Sequence, residues 1–247
     1  MATLSVRNLS KSYGGVRALA GVSFDVSAGE IVALIGPNGA GKTTCFNMLN
    51  GQLAPDSGEV LLDGASLVGR APYAVCRLGV GRTFQVAATF GSMTALENVQ
   101  VALLAHNGRL ASALYEDASR VYRDDANSIL ELVGIAAHAE TACAALAYGD
   151  LKRVELATAL AQHPRLLLMD EPTAGMAPEE RDVLMKLAAD LARRENIAVL
   201  FTEHDMDVVF GFAHRVIALH LGEVIAEGPP EQVRGNARLR EVYLGDA

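Results

Sequence analysis

One glycine-rich segment constrains the fold of this 247-residue chain more than any other feature. Residues Gly36–Thr43, with the sequence GPNGAGKT, match the pattern G-x-x-x-x-G-K-[ST] at every fixed position. The apolar run Glu30–Ile35 precedes this segment and predicts a strand covered on both faces, and a helix is expected from Lys42 to about Leu49. This order of strand, loop and helix predicts an α/β fold with the loop at one edge of a sheet.

A loop of this composition can bind phosphate groups. Its glycines allow consecutive backbone N–H groups to point inward at phosphate oxygens, and the start of the following helix adds positive partial charge. We expect Lys42 to reach the β- and γ-phosphates of a nucleotide and the Thr43 hydroxyl to bind Mg²⁺. The alternative is a glycine-rich turn that Lys-Thr follows by chance, and the flanking strand and helix disfavour it.

Two acidic residues follow a second buried strand. The run Arg165–Met169 leads into Asp170 and Glu171, and ligands of open α/β sheets bind at this carboxyl edge. Asp170 is predicted to hold Mg²⁺, directly or through water, and Glu171 to accept a proton from an attacking water. His204 follows a third buried strand, Ile197–Phe201, and its imidazole could contact the γ-phosphate and fix that water. Without the phosphate loop, these side chains would equally fit the description of solvated surface groups.

The remaining pattern divides the chain into three stretches. Val22, Phe24 and Val26 alternate with polar residues, which predicts a half-buried strand in a β-rich N-terminal part. The stretch 86–147 is rich in Ala and Leu and is predicted to be mainly helical. The α/β pattern then returns, with a helix predicted over Pro178–Arg194. The apolar face of that helix is predicted to consist of Val183, Leu184, Leu187, Ala188 and Leu191.

Composition argues against several classes of protein. The net charge is −8, from 21 Lys and Arg against 29 Asp and Glu, so no nucleic-acid partner is expected. No stretch approaches the ~20 apolar residues that span a bilayer, and the first residues do not resemble a signal peptide. Cys45, Cys76 and Cys143 are expected to be reduced thiols of a cytosolic protein. The six histidines lack metal-ligand spacing, so no zinc site is predicted.

The order of the motifs resembles the ATP-binding subunit of ABC transporters over nearly the whole chain. Three further motifs carry this resemblance: Tyr13 before the phosphate loop, Gln85 in the sequence RTFQ, and Leu146–Asp150. The last of these, LAYGD, stands where the family has its LSGGQ signature, about twenty residues before Asp170. A phosphate loop alone identifies only a superfamily, whereas the signature between Gln85 and the acidic pair is far more specific.

The resemblance implies one P-loop NTPase domain over residues 1–247. Its core would comprise residues 1–85 and 151–247, with a mixed sheet, flanking helices and an N-terminal antiparallel β part. Residues 86–150 would form an inserted, mainly helical subdomain that carries the signature at its end.

The resemblance also implies ATP and Mg²⁺ as ligands. In this family an aromatic residue at the position of Tyr13 stacks on adenine, and a glutamine at the position of Gln85 senses Mg²⁺ and water. Thr43, Gln85 and Asp170 would therefore serve the metal, and Glu171 and His204 the catalysis. The triphosphate would contact Gly36, Asn38, Gly39, Ala40, Gly41, Lys42, Thr43 and Thr44 of one subunit, and Ala147, Tyr148, Gly149 and Asp150 of the other.

The implied partners are a second ATP-binding subunit, identical or different, in a head-to-tail dimer, and two transmembrane permease subunits. A solute-binding protein would act indirectly, and the chain would lie at the cytoplasmic face of the membrane. Local sequences resemble the ATP-binding subunit of branched-chain amino acid importers; these are residues 82–85, 148–149, 173–176, 203–206, 222–228 and 243–245. The alternatives are a related exporter of lipid or another cargo, a soluble ABC-type ATPase acting on nucleic acid or ribosomes, and a small-molecule kinase.

Three positions depart from the family pattern. Ala147 replaces a serine whose hydroxyl would bind the γ-phosphate, so we expect weaker closure of the dimer. Asp150 replaces glutamine and adds negative charge, which Lys152 or Arg153 could neutralise. Ala177 occupies the place of an aspartate in the loop after the acidic pair. These departures suggest a pairing with a different ATPase subunit and two unequal sites.

Overall fold

A computed structural model describes residues 2–83, 89–109 and 120–244. These residues contain ten strands and nine α-helices. The strands are β1 Ala2–Tyr13, β2 Val16–Ser27, β3 Ile31–Ile35, β4 Ser57–Leu62, β5 Ala65–Ser66, β6 Val80–Thr83, β7 Leu166–Asp170, β8 Ala198–Thr202, β9 Arg215–His220 and β10 Glu223–Gly228. The helices are α1 Lys42–Leu49, α2 Pro72–Arg77, α3 Ala95–His106, α4 Arg123–Leu132, α5 Tyr148–Leu160, α6 Pro178–Arg194, α7 Met206–Phe212, α8 Pro230–Arg234 and α9 Ala237–Leu244.

The strands form two sheets. The first has the order β2-β1-β4-β5 and is antiparallel throughout. The second has the order β10-β9-β3-β8-β7-β6, and its strands are parallel except for β10, which runs antiparallel to β9. This arrangement confirms the predicted α/β fold with a mixed sheet and an antiparallel β part.

Two hydrophobic clusters cover the faces of the second sheet. Ile31, Ala33 and Ile35 of β3 point into a cluster that includes residues of α3 to α7. Val32 and Leu34 point the other way, into a cluster shared with the antiparallel sheet and α1. Burial on both faces explains why the run that precedes the phosphate loop is continuously apolar.

The chain between β6 and β7 carries α3, α4 and α5, which pack against one another. Two short 3-10 turns, Ala136–His138 and Cys143–Ala145, lie between α4 and α5. Because α5 also contacts β6 and α6, it joins this helical region to the sheet. Across the described ranges, the helices are too short or too polar to cross a bilayer.

Helix α6 matches its predicted bounds, but one residue of the predicted apolar face is wrong. Val183 is 46% exposed, whereas Leu184, Met185 and Ala188 are buried. The buried stripe passes through residues 184, 188 and 191, and Val183 lies on its flank toward solvent. The sequence pattern therefore predicted an apolar face that was one residue too wide, because it included Val183 on the solvent side.

Candidate functional site

Sheet topology gathers the predicted polar residues at one edge. The phosphate loop follows β3, the acidic pair ends β7, and His204 follows β8. Strand β8 lies between β3 and β7 and runs parallel to both, with Asp170 paired to Thr202. The carboxyl ends of three neighbouring strands therefore meet at the edge where ligands of open α/β sheets bind.

Close packing requires glycine at two positions of the phosphate loop. A Cβ on Gly36 would lie 2.4 Å from the carbonyl oxygen of Leu219. A Cβ on Gly41 would lie 2.4 Å from the carbonyl oxygen of Ala18, and Gly41 also has a φ of 107°. The backbone can approach its neighbours this closely only without side chains, so the loop keeps the curled form that the sequence pattern predicted.

Lys42 is buried beneath this loop. The residue is 7% exposed. Its Nζ donates hydrogen bonds to the carbonyl oxygens of Gly36 at 2.6 Å and Pro37 at 3.3 Å. Burial lowers the pKa of Lys42, and the negative charges of Glu171 and Asp170 oppose this effect. A partly desolvated ammonium group whose hydrogen bonds go to neutral carbonyl oxygens can bind a phosphate strongly.

An open cavity of about 290 Å³ lies over the loop. Tyr13, which is 51% exposed, and Ala18 form one side, and Glu171 lies on another. Its remaining lining is the loop itself, residues 38–44. The cavity is thus lined by an accessible aromatic ring, the phosphate loop and a carboxylate.

The carboxylate of Asp170 is held from two sides. Oδ1 accepts a hydrogen bond from the Thr202 hydroxyl at 2.8 Å, and Oδ2 pairs with the Arg82 guanidinium at 2.9 Å. Arg82 also donates to Asn47 Oδ1 at 2.8 Å, which ties the end of β6 to α1. No local sequence pattern indicates these roles of Thr202 and Arg82, because both contacts join residues that are far apart in the chain.

The donor set suits Mg²⁺ better than a softer metal. A hydroxyl of Thr43 and a carboxylate of Asp170 are hard oxygen ligands, and Mg²⁺ combines few such groups with phosphate oxygens and water. Among the residues that the structure describes, no group of three or more His, Cys, Asp and Glu side chains could hold a metal ion. The predicted third metal residue, Gln85, lies outside the described residues.

Glu171 adopts an unusual backbone conformation. Its φ is +46°, in the left-handed region, which costs a residue with a side chain about 1–2 kcal/mol. Its N–H is shared between the carbonyl oxygen and the hydroxyl of Thr202, each at 3.1 Å. Its Oε1 lies 2.9 Å from Nε2 of His204. The turn therefore brings the predicted base and the predicted histidine into direct contact.

The signature residues 147–150 lie outside the cavity over the phosphate loop. Ala147 precedes the first residue of α5, and its side chain makes no capping hydrogen bond. A Cβ on Gly149 would lie 3.1 Å from the Glu180 carboxylate, so the starts of α5 and α6 are adjacent. Residues 147–150 do not line the cavity over the phosphate loop. One chain thus brings together Tyr13, the loop, Asp170, Glu171 and His204, but not its own signature.

Two basic side chains lie at the limit of ion-pair distance from Asp150. Arg153 and His138 each approach its carboxylate at 4.0 Å. Lys152, the other predicted partner, instead pairs with Glu155 at 3.2 Å in a buried ion pair. Residues two apart on a helix do not face each other, which explains why Lys152 turns away from Asp150.

The fold and this site define a nucleotide-hydrolysing cassette. The model of the ABC transporter family matches residues 19–174, and that of the branched-chain amino acid ATP-binding cassette transporter matches residues 223–247. The chain therefore belongs to the ABC transporter family as an ATP-binding subunit, and it is an ATPase.

Named relatives and solved structures resemble it over nearly its full length. The high-affinity branched-chain amino acid transport ATP-binding protein LivG of Escherichia coli is 39% identical over 250 residues, which cover 99% of this chain and 98% of LivG. BraF of Pseudomonas aeruginosa, which carries the same description, is 38% identical with the same coverage. A nucleotide-free ATP-binding cassette from an ABC transporter superposes with a TM-score of 0.88 at 30% identity, covering both chains completely. A dimeric post-hydrolysis cassette bound to ADP and Pi gives 0.77 at 28% identity, covering 92% of this chain and 98% of that one.

Proposed function

We propose that this chain is the ATP-hydrolysing subunit of an importer for branched-chain amino acids. The observation that carries the proposal is its 39% identity to LivG across 99% of the chain. The match of residues 223–247 to the branched-chain amino acid cassette model supports the same cargo. These relatives favour the importer over a lipid exporter or a soluble ATPase acting on nucleic acid or ribosomes.

In the proposed mechanism, Lys42 and the backbone N–H groups of the loop bind the triphosphate of ATP. Tyr13, exposed at the side of the cavity, stacks on adenine. Glu171 takes a proton from the attacking water, and His204, 2.9 Å from it, orients that water against the γ-phosphate. A bound Mg²⁺ would neutralise charge on the phosphates, and Thr43, Asp170 and Gln85 would hold it.

The second half of each site is proposed to come from another subunit. Residues 147–150 do not line their own chain's cavity, so in a head-to-tail dimer they would cover the ATP of the partner. The similar cassette that is dimeric with bound ADP and Pi supports the formation of a dimer. We propose a different ATPase subunit as the partner, because Ala147, Asp150 and Ala177 depart from the family pattern. These departures weaken the contribution of this chain to the ATP site of the partner.

The helical region within residues 86–150 is proposed as the subdomain next to two transmembrane permease subunits. The chain would then lie peripherally at the cytoplasmic face of the membrane. A solute-binding protein on the opposite side of the membrane would deliver cargo to the permeases. Closure of the ATPase dimer would drive the permeases between their two orientations.

Purification from membranes tests this assignment. The tagged chain is expected to bring down two permeases and a second ATPase, and the complex in liposomes is expected to take up labelled leucine only with ATP. Uptake is measured with and without a solute-binding protein, and labelled glucose serves as the control cargo. Recovery of ribosomes or nucleic acid in place of permeases would contradict the proposal, as would ATP-driven export of lipid.

Replacing Ala147 with serine is expected to strengthen ATP-dependent association. The new hydroxyl would bind the γ-phosphate, and a hydrogen bond to a charged group contributes about 1.5–3 kcal/mol, or tenfold or more in the dissociation constant. The dissociation constant of the two ATPase subunits is measured by sedimentation with ATP. Ala144→Ser, at an exposed position of the same connecting segment, is the matched control. An unchanged constant in Ala147→Ser would remove this residue from the phosphate contact.

A further inference from the structure

We propose that Glu203 is a positioning residue for hydrolysis, which holds His204 and the loop after Glu171 in one arrangement. This inference rests on the catalytic roles proposed for Glu171 and His204. Glu203 itself does not touch the cavity over the phosphate loop. It would act through the two segments that its carboxylate joins.

The carboxylate of Glu203 accepts three hydrogen bonds. Oε1 accepts from the backbone N–H of Thr173 at 2.9 Å and from the Thr173 hydroxyl at 2.6 Å. Oε2 accepts from the backbone N–H of His204 at 3.1 Å. One oxygen is therefore committed to the loop after β7 and the other to the loop after β8.

The burial of this carboxylate sets it apart from an ordinary surface acid. Glu203 is only 4% exposed, and Thr173 is 2% exposed. A buried glutamate is rare in proteins and is retained where its hydrogen bonds are satisfied. The three donors satisfy this one, and they fix its two oxygens in distinct roles.

Three consecutive residues, the last of β8 and the two after it, bind the segment that carries the predicted base. Thr202 binds Asp170 and the N–H of Glu171, Glu203 binds Thr173, and His204 binds the Glu171 side chain. The segment around Glu171 is thus held at two points. Thr202 binds it at Asp170 and at the N–H of Glu171, and Glu203 binds it at Thr173. This double attachment explains how a residue with a φ of +46° keeps its carboxylate against His204.

The substitution Glu203→Gln separates this role from simple packing. Glutamine has nearly the same shape, but one end of its amide is a donor. If its oxygen accepts from Thr173, its NH₂ group faces the N–H of His204, and two donors cannot bond. The variant therefore loosens the His204 connection while leaving the volume of the buried side chain unchanged.

We expect Glu203→Gln to lower kcat of the purified transporter complex about tenfold. The affinity of the chain for ATP is expected to change less than about twofold, because the loop and Lys42 are untouched. Glu59→Gln, at an exposed position of β4, is the matched control and should retain both values. A fall in ATP affinity with an unchanged kcat would overturn the proposal, as would wild-type values of both.

Amide hydrogen exchange tests the same connection directly. The N–H groups of Thr173 and His204, which are 31 positions apart, are expected to lose protection together in Glu203→Gln, while the interior of β8 keeps its protection. Loss of protection throughout β8 would instead assign Glu203 a general structural role and overturn the proposal.

A second pair of variants applies if Glu203→Gln fails to fold. Thr173→Val removes the hydroxyl donor but keeps the volume, and Thr173→Ser keeps the hydroxyl. We expect kcat to fall about threefold or more in Thr173→Val and to stay near wild type in Thr173→Ser. Equal activity of the two variants would overturn the proposal. Wild-type turnover in both Glu171→Gln and His204→Ala would refute the hydrolysis mechanism under the proposed function. Loss of turnover in those two variants, with normal turnover in Glu203→Gln and Thr173→Val, would refute only this inference.

Discussion

Replacing Glu171 with glutamine is expected to lower the rate of ATP hydrolysis by about 10²–10⁴-fold, the usual contribution of general acid–base catalysis. Glutamine keeps an oxygen that can contact Nε2 of His204, now 2.9 Å from the Glu171 carboxylate, but it cannot accept a proton from water. ATP should still bind with at least wild-type affinity, because the phosphate loop and Lys42 are unchanged and one negative charge beside the triphosphate is gone.

The rate and the affinity are measured on two preparations of the same variant. Phosphate release by the transporter complex gives the rate, and titration of the isolated chain with a fluorescent ATP analogue gives the affinity. Glu59→Gln is again the matched control, since it makes the same change on an exposed strand. Hydrolysis at the wild-type rate in Glu171→Gln would show that another group accepts the proton.

The second large effect is expected at Lys42. Lys42→Ala should weaken ATP binding by about tenfold to a hundredfold, because a hydrogen bond between charged groups contributes about 1.5–3 kcal/mol. The folded protein, in contrast, should barely lose stability. Burial lowers the pKa of Lys42, so its positive charge is less favourable in the folded than in the unfolded state near neutral pH. The alanine variant removes that cost together with two bonds to loop carbonyls.

Equilibrium unfolding without nucleotide separates these two effects. The free energy of unfolding is expected to change by less than about 1 kcal/mol, while the dissociation constant for ATP rises. Lys186→Ala, on the exposed side of α6, is the control for loss of a lysine. Wild-type ATP affinity in Lys42→Ala would contradict a direct phosphate contact, and extensive unfolding would assign Lys42 a structural role.

Much of the site could be predicted because its residues sit at fixed offsets from buried strands. The phosphate loop follows β3, the acidic pair ends β7, and His204 follows β8, so local patterns sufficed to place them at one edge. The contacts that orient them could not be predicted in the same way. Arg82 and Asp170 are 88 positions apart, and no local pattern encodes their pairing.

Glu203 illustrates the same limit most clearly. In the sequence it is one polar residue in the stretch Thr202–Asp205, and its type alone suggests a solvated acid. Only the fold shows that the loop after Glu171 brings Thr173 within hydrogen-bond distance of Glu203. A usable signal was nevertheless present, since Glu203 directly follows a fully buried strand and directly precedes His204.

The alternation of side chains along the central strands limits how the length of this chain can change. In β7, Leu167 and Met169 face one cluster while Leu166 and Leu168 face the other, and β3, β8 and β9 alternate likewise. Deleting or inserting one residue in such a strand would exchange its two faces. In β7 it would also shift Asp170 past Thr202 and dismantle the acidic end of the strand. Insertions and deletions are therefore tolerable only in connecting loops away from the phosphate loop and the loops after β7 and β8, whereas the buried strands admit only replacements of similar size.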